Sequence, residues 1–444
     1  MKEFDKKIVI LGGGPAGIGA AWRLNELGYK KWELYEKTNF LGGLSTSFKD
    51  GKGFTWDIGG HIYFSKFDYF NEVYDRLIGK DSCKKERNQF IFIDGKYLPY
   101  PFQNNIRYLN QEKIFECVQG LIQAEKKSGI KPKNFYEFNL AAMGFGIAKH
   151  FMNPYNDKVW SWPAKEMSYS WIGNRVSVVN LEKVLENIIL QKDDEKWGPN
   201  YYFKYPKNGS GSFWRKFENF LPSEKLNFCN EFKKVDVKNK KVYFNDGKSI
   251  NYDFLISTLP LNFFVSKSNN DRSVKNAAKK LKSNSGYVIG VGIKGNLPKE
   301  LKNKVALYFP EKKYLFHRMA IQNYFSEKLV PKGTFGLAFE ISHSKNRKIT
   351  QEEAIKNVFD FISDRKFIKN KNQFVDLFTI SKNHFYPIPT LDRDKNLSNI
   401  QIELENSCIY SIGRFGAWRY ESGNMDHSFM QGVEAVDSIY KNKK

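Results

Sequence analysis

The chain has 444 residues, with 71 Lys and Arg against 48 Asp and Glu, a formal charge of +23. Its 41% apolar content is enough for a packed core, the length predicts about two or three domains, and no apolar run approaches the ~18 residues of a membrane span. The lysines are dispersed and no nucleic-acid module is present, and the four cysteines (Cys83, Cys117, Cys229, Cys408) form no CxxC pair, so neither a nucleic-acid binder, a disulfide scaffold nor a zinc ribbon is expected.

The polar N-terminus leaves no room for a signal peptide, and a soluble, cytoplasmic protein is expected. Ile8-Val-Ile-Leu11 reads as a buried parallel strand. It leads into Gly12-Gly-Gly14-Pro15-Ala16-Gly17, then a helical stretch that stops at Gly28. A second strand, Trp32-Glu-Leu-Tyr35, delivers Glu36 and Lys37 at its end. The spacing Gly12-x-Gly14-x-x-Gly17 fits a dinucleotide fingerprint: a tight turn, a close backbone approach to a diphosphate, and close helix–strand packing. Glu36 stands where a carboxylate would take a ribose hydroxyl. A second glycine turn follows at Gly42-Gly43-Leu44-Ser45, and then Asp57-Ile-Gly59-Gly60-His61. A glycine turn just after the ribose acid resembles the flavoprotein superfamily of amine oxidases and protoporphyrinogen oxidase, which favours FAD over NAD.

Further blocks follow in order: Phe54-Thr-Trp-Asp-Ile-Gly-Gly-His-Ile-Tyr-Phe64, Leu98-Pro-Tyr-Pro-Phe-Gln-Asn-Asn-Ile106, Met152-Asn-Pro-Tyr-Asn-Asp-Lys-Val-Trp160, Trp171-Ile-Gly-Asn-Arg175 and Trp197-Gly-Pro-Asn200. Leu307-Tyr-Phe-Pro310, Phe316-His-Arg318, Tyr386-Pro-Ile-Pro-Thr390 and the long Gly413-Arg-Phe-Gly-Ala-Trp-Arg-Tyr-Glu-Ser-Gly-Asn-Met-Asp-His-Ser-Phe429 complete the series. Together they resemble the eukaryotic-type UDP-galactopyranose mutases almost end to end. The resemblance implies an isomerase that interconverts UDP-galactopyranose and UDP-galactofuranose with no net redox change. Nitrogen-5 of reduced FAD is the implied covalent nucleophile at the anomeric carbon, with NADPH or NADH as the reductant.

The resemblance also assigns residues. His61, in a loop against the flavin, and Arg175 and Arg318, at the diphosphate, are the catalytic candidates. Tyr308, Tyr386, Tyr420 and Asn424 would join the two arginines at the phosphates. Tyr100, Phe102 and Gln103 match the uridine end, Asn156 and Trp160 lie between base and sugar, Asn200 belongs to a flap, and Phe64 lies beside the histidine loop. FAD would be held by Gly12, Gly14, Pro15, Ala16, Gly17, Glu36, Lys37, Gly42, Gly43, Leu44, Ser45, Gly59, Gly60 and His61. Val235 would lie against adenine, with Arg414, Asn424, Asp426 and Ser428 at the far end; Arg87 matches a further family arginine. The residue types suit these tasks independently, since a guanidinium offers paired donors to phosphate that an ammonium cannot copy. His317 stands where an aromatic residue is common. The histidines form no HxH or HxxxH pattern, and no metal is expected.

The architecture expected is α/β, with a discontinuous Rossmann-type FAD-binding domain (1–85, 205–262 and 400–444), a helical UDP-binding domain (100–204) and an antiparallel sheet domain (86–99 and 263–399). Asn245-Asp-Gly247 signals a hairpin, and the polar stretch 269–282 a surface helix or loop. Three alternatives stay open: a net redox oxidase of the amine oxidase class, a mutase for another UDP-hexopyranose, and a flavin-free binding scaffold like the Rab GDP-dissociation inhibitors. The oligomeric state is open as well.

Overall fold

The computed structural model describes residues 5–126, 129, 131–173, 179–193 and 201–441. Arg175 and Asn200 lie outside the described residues.

The first strand, β1 (Ile8–Leu11), is wholly inside the molecule. Strand side chains alternate between faces, so Ile8 and Ile10 enter one hydrophobic core while Val9 and Leu11 enter another on the opposite side. A strand with both faces covered needs no polar alternation, hence the unbroken apolar run. β1 pairs in parallel with β2 (Trp32–Tyr35) and with Phe254–Ser257, and the sheet is completed by Leu226–Asn227 and Ile409–Ser411, again in parallel. Three of the five strands thus come from distant parts of the chain.

Between β1 and β2 runs α1 (Pro15–Glu26), opened by proline in its first turn. It packs against the last helix, Met425–Lys441. A Cβ built on Gly19 would lie 2.1 Å from the Phe429 carbonyl oxygen, and one on Gly432 would lie 2.1 Å from that of Ala16. Only glycine permits this backbone contact, which brings the two ends of the chain into one unit.

A second sheet has seven strands in the order Phe374–Lys382, Ser285–Lys294, Thr334–His343, Arg318–Ile321, Ala306–Tyr308, Gln89–Ile93 and Lys96–Pro99. It is antiparallel except where Ala306–Tyr308 runs parallel to Gln89–Ile93, a pairing the sequence reading did not anticipate. Gln89–Ile93 and Lys96–Pro99 join this sheet as an edge hairpin whose inner strand meets Ala306–Tyr308. Helix Gln351–Asp364, opened by a Thr350–Glu353 capping box, covers one face. The intervening chain is helical, with Gln111–Lys126, Phe135–Ile147, Asn153–Trp160 and Leu181–Ile189. The hairpin signal at Asn245–Gly247 joins Lys241–Phe244 to Ser249–Asn251. The polar stretch 269–282 contains helix Arg272–Lys280, which buries Val274, Ala277 and Ala278. No described helix is long and apolar enough to cross a membrane.

Candidate active site

The glycine turns build a crevice at the carboxyl ends of β1 and β2. Gly12 adopts φ +99°, and a Cβ on Gly17 would sit 1.9 Å from the Gly12 carbonyl oxygen, so helix and strand meet backbone to backbone. Gly14 caps α1 without a side chain, which leaves the first-turn amides open to an anion. A Cβ added at Gly14 would find only the Gly43 Cα, 4.0 Å away, so the space in front of the helix is free. The Gly42 amide donates to the Gly13 carbonyl at 2.8 Å and ties the two turns together. The Glu36 carboxylate accepts from the Gly13 amide at 2.7 Å and from the Thr38 amide at 2.9 Å, which fixes it at the end of β2. An amide-lined cradle closed by an oriented carboxylate fits a dinucleotide diphosphate and ribose. Lys37 is exposed, while Val235 is buried and its amide donates to the Lys267 carbonyl at 3.1 Å.

Next to this crevice lies a cavity of about 1460 Å³. Its floor is the loop after Asp57. Asp57 is buried and accepts hydrogen bonds from the Ser47 hydroxyl at 2.5 Å and the Tyr205 hydroxyl at 2.6 Å; burial raises its carboxyl to about 6 despite them. The Tyr63 hydroxyl contacts Ser210 at 3.0 Å, so both ends of the loop are held by the 209–211 turn. His61 lies within, its Nε2 3.1 Å from the Leu44 carbonyl. Burial, with Arg414 and Arg318 adding to it and Glu340 opposing, lowers its imidazole to about 4, so it is neutral at pH 7.

Glu340 connects this loop to the opposite wall. Its Oε1 accepts from the Gly60 amide at 3.0 Å, and its two oxygens take Nε and Nη2 of Arg318 at 2.6 Å each. Burial alone would raise the Glu340 carboxyl, but Arg318, His317 and the Gly60 amide hold it below the usual range. Nearby, His317 is 2% exposed and pushed down to about 3, first by burial. Sequence reasoning missed Glu340, although a lone acid in the otherwise apolar strand Thr334–His343 was a legible signal.

The remaining wall is aromatic. Trp160, Trp171, Tyr386 and Tyr420 cluster with ring centroids 4.9 Å (Trp160–Tyr420), 5.5 Å (Trp171–Tyr420) and 5.8 Å (Tyr386–Tyr420) apart. The Trp160 indole donates to Asn156 Oδ1 at 3.1 Å. Tyr308 packs against Tyr100 at 5.4 Å and against Tyr155, edge to face, at 5.5 Å. Burial raises the hydroxyls of Tyr100, Tyr155 and Tyr386, which keeps them neutral donors.

Phe64, Gln103, Arg87, Arg414, Asn424 and Asp426 also line the cavity. Arg414 Nε donates to the Gly423 carbonyl at 2.8 Å. Ser428 is buried in the first turns of the last helix, behind this lining. Phe102 also stands behind the lining: it is fully buried and stacks on Phe151 at 4.8 Å, and Phe151 in turn stacks on Tyr155 at 5.1 Å. Sequence reasoning passed over Phe151 and Tyr155, whose spacing of four residues on a helical stretch was the available sign. No cluster of three or more potential metal ligands occurs among the described residues.

Residues 10–77 match the family model for an NAD(P)-binding Rossmann-like domain. A 4,4'-diaponeurosporene oxygenase of Staphylococcus haemolyticus is 28% identical over 147 residues, 31% of this chain and 29% of that protein, so the match spans less than a third of that relative's length. Among solved structures, cyclohexylamine oxidase from Brevibacterium oxydans shares the fold at 11% identity, with a TM-score of 0.71 and 99% of each chain covered. A reduced UDP-galactopyranose mutase superposes with a TM-score of 0.96 at 39% identity, covering 99% of this chain and 95% of its own. Whole-length agreement at that identity, over a diphosphate cradle joined to an arginine- and tyrosine-lined cavity, decides the relationship: the chain belongs to the UDP-galactopyranose mutase family.

Proposed function

We propose that the protein is an FAD-dependent isomerase that interconverts UDP-galactopyranose and UDP-galactofuranose without net redox change. What supports this reading most is the joining of two sites: the dinucleotide cradle opens beside a cavity carrying Arg318, neutral tyrosine hydroxyls and an aromatic cluster. A phosphate-binding wall of that kind has no use in oxidation of a simple amine.

FAD would lie along Gly12–Gly17, Glu36 and Gly42–Ser45, and when reduced its nitrogen-5 would supply the nucleophile for the anomeric carbon. The chain's own residues do the rest. Arg318, Tyr308, Tyr386 and Tyr420, with Arg175, would bind the UDP diphosphate while it leaves and returns, using charge-assisted hydrogen bonds. Glu340 takes the Nε donor and one Nη2 donor of Arg318 and so orients the donors that remain on Nη1 and Nη2. His61, neutral at pH 7, would contact the cofactor as a hydrogen-bonding group rather than as a cation. The positive end of helix Met425–Lys441 would favour negative charge on the reduced ring. Tyr100 and Gln103 would bind the uracil end, with Phe102 acting through Phe151, and Asn156 and Trp160 would lie between base and sugar. Enclosure by the aromatic wall would exclude water. The reductant in this reading is NADPH or NADH.

The test is incubation with UDP-galactofuranose, with and without dithionite, followed by chromatographic separation of the products. Conversion to UDP-galactopyranose only under reduction is the expected result. No conversion by a yellow, flavin-loaded protein under reduction would overturn the reading.

A further inference from the structure

Helix Asn153–Trp160 carries Asn156 and Trp160 into the cavity, yet it belongs to neither sheet. A helix end leaves its last carbonyls without intrahelical partners, and here the chain turns away at Ser161, with φ +50°. One fully buried side chain, Asn284, receives that end. Its Nδ2 donates to the Val159 carbonyl at 2.9 Å and to the Trp160 carbonyl at 3.0 Å. Its Oδ1 accepts from the Tyr386 amide at 2.7 Å. The Asn284 main chain is also paired, donating to the Tyr386 carbonyl at 3.1 Å and accepting from the Phe385 amide at 3.0 Å. Both donors and the acceptor of the amide group are therefore used, and all of them bear on residues that line the cavity.

A second clip holds the same helix from another side. Lys158, 3% exposed, points its Nζ into three carbonyls: Glu311 at 2.8 Å, Tyr314 at 2.9 Å and Phe316 at 3.1 Å. These belong to the turn between Tyr308 and Arg318. The two clips thus fix the helix relative to the segment carrying Tyr386, just before strand Pro387–Ile388, and to the strand carrying Arg318.

We propose that Asn284 is a positioning residue that sets Trp160 against Tyr386 for nucleotide binding, with Lys158 performing the same task toward Arg318. This rests on the reading above that Trp160 and Tyr386 face a nucleotide. An apolar residue of similar size could fill the space beside the helix end. It could not satisfy two carbonyls and an amide at once, and those groups would be left buried without partners.

The test is a double-mutant cycle in the full-length, flavin-loaded protein. Asn284→Ala and Tyr386→Phe are made singly and together, and UDP affinity is measured by calorimetry beside flavin content and absorption spectrum. Asn284→Ala should weaken UDP binding roughly tenfold with the flavin retained, and the double variant should bind no more weakly than the poorer single one. Additive losses would overturn the proposal, because a residue that only supports the fold has no reason to be coupled to the Tyr386 hydroxyl. Amide exchange gives a readout that needs no nucleotide: Tyr386 should exchange much faster in Asn284→Ala, and unchanged protection there would overturn the proposal as well. If the wild-type protein binds no UDP, the functional reading fails, and the exchange result alone decides whether Asn284 positions these residues. Should Asn284→Ala fail to fold, Asn284→Ser, which keeps one polar atom, enters the same cycle.

Discussion

The dinucleotide crevice and the cavity beside it are built from different materials. The crevice is made of backbone: Gly12, Gly14, Gly17, Gly42 and Gly43 contribute amides and the absence of side chains, and all lie within one short span of sequence. The cavity wall is made of side chains drawn from several separate segments between Tyr100 and Tyr420, such as Tyr100, Trp160, Arg318, Glu340, Tyr386 and Tyr420. A site built mainly of backbone is above all intolerant of added atoms. A side-chain site is sensitive to charge and hydrogen bonding, because each member depends on partners elsewhere in the chain. The two regions should therefore break in different ways.

The sharpest break is expected in the crevice. Gly17→Val places carbon atoms where the Gly12 carbonyl oxygen already stands, 1.9 Å from the nearest new position. A loss of more than about 4 kcal/mol in denaturant unfolding is expected, together with loss of flavin from the purified protein. Near-normal stability with flavin retained would mean that the crevice yields more readily than its geometry implies.

In the wall, Glu340→Ala removes the partner of a partly buried guanidinium and frees the Gly60 amide. The expected destabilisation is about 3 kcal/mol, seen as a lower melting temperature, because the charge left behind is no longer compensated. Arg318→Ala leaves the buried Glu340 carboxylate without its guanidinium, so a comparable destabilisation is expected, together with a loss of transition-state stabilisation of about 2–4 kcal/mol in kcat/KM for UDP-galactofuranose. Unchanged turnover and affinity would remove Arg318 from the diphosphate site.

The smallest effect is one of pH. His317 has its folded-state value lowered from 6.5 to about 3, so the native state resists protonation that the unfolded chain accepts. Its contribution is complete above pH 6.5 and is lost as the pH falls toward 3. Between pH 6.5 and 4.5 the loss from this group should reach about 2–3 kcal/mol. His317→Phe should flatten that slope in pH-dependent unfolding, and a slope identical to wild type would assign the acid sensitivity elsewhere.

Much of the fold is legible in the sequence. β1, α1 and β2, their glycines and Glu36 follow from local rules: an apolar run, a helical period, a turn that tolerates no Cβ. The ordered blocks around His61, Arg318, Tyr386 and Tyr420 were assigned to one site by their resemblance to the mutases, and their residue types agree with that assignment. Lys158 and Asn284 were not legible, since a lysine or an asparagine means little without its partner, whereas the lone acid at Glu340 and the four-residue spacing of Phe151 and Tyr155 were signs passed over. Asn284 stands 124 residues from Trp160 and 102 from Tyr386, the hydrogen-bond partners that give it a purpose. Phe102, matched by resemblance to the uridine end, is fully buried and stacks on Phe151 behind the cavity lining. The sequence by itself determined the parallel unit and its cofactor cradle, because neighbours in the chain supply backbone that needs only local geometry. The tertiary structure alone decided which carboxylate orients Arg318 and which amide joins Trp160 to Tyr386. Those pairings depend on burial and on distances that exist only once remote segments are packed together.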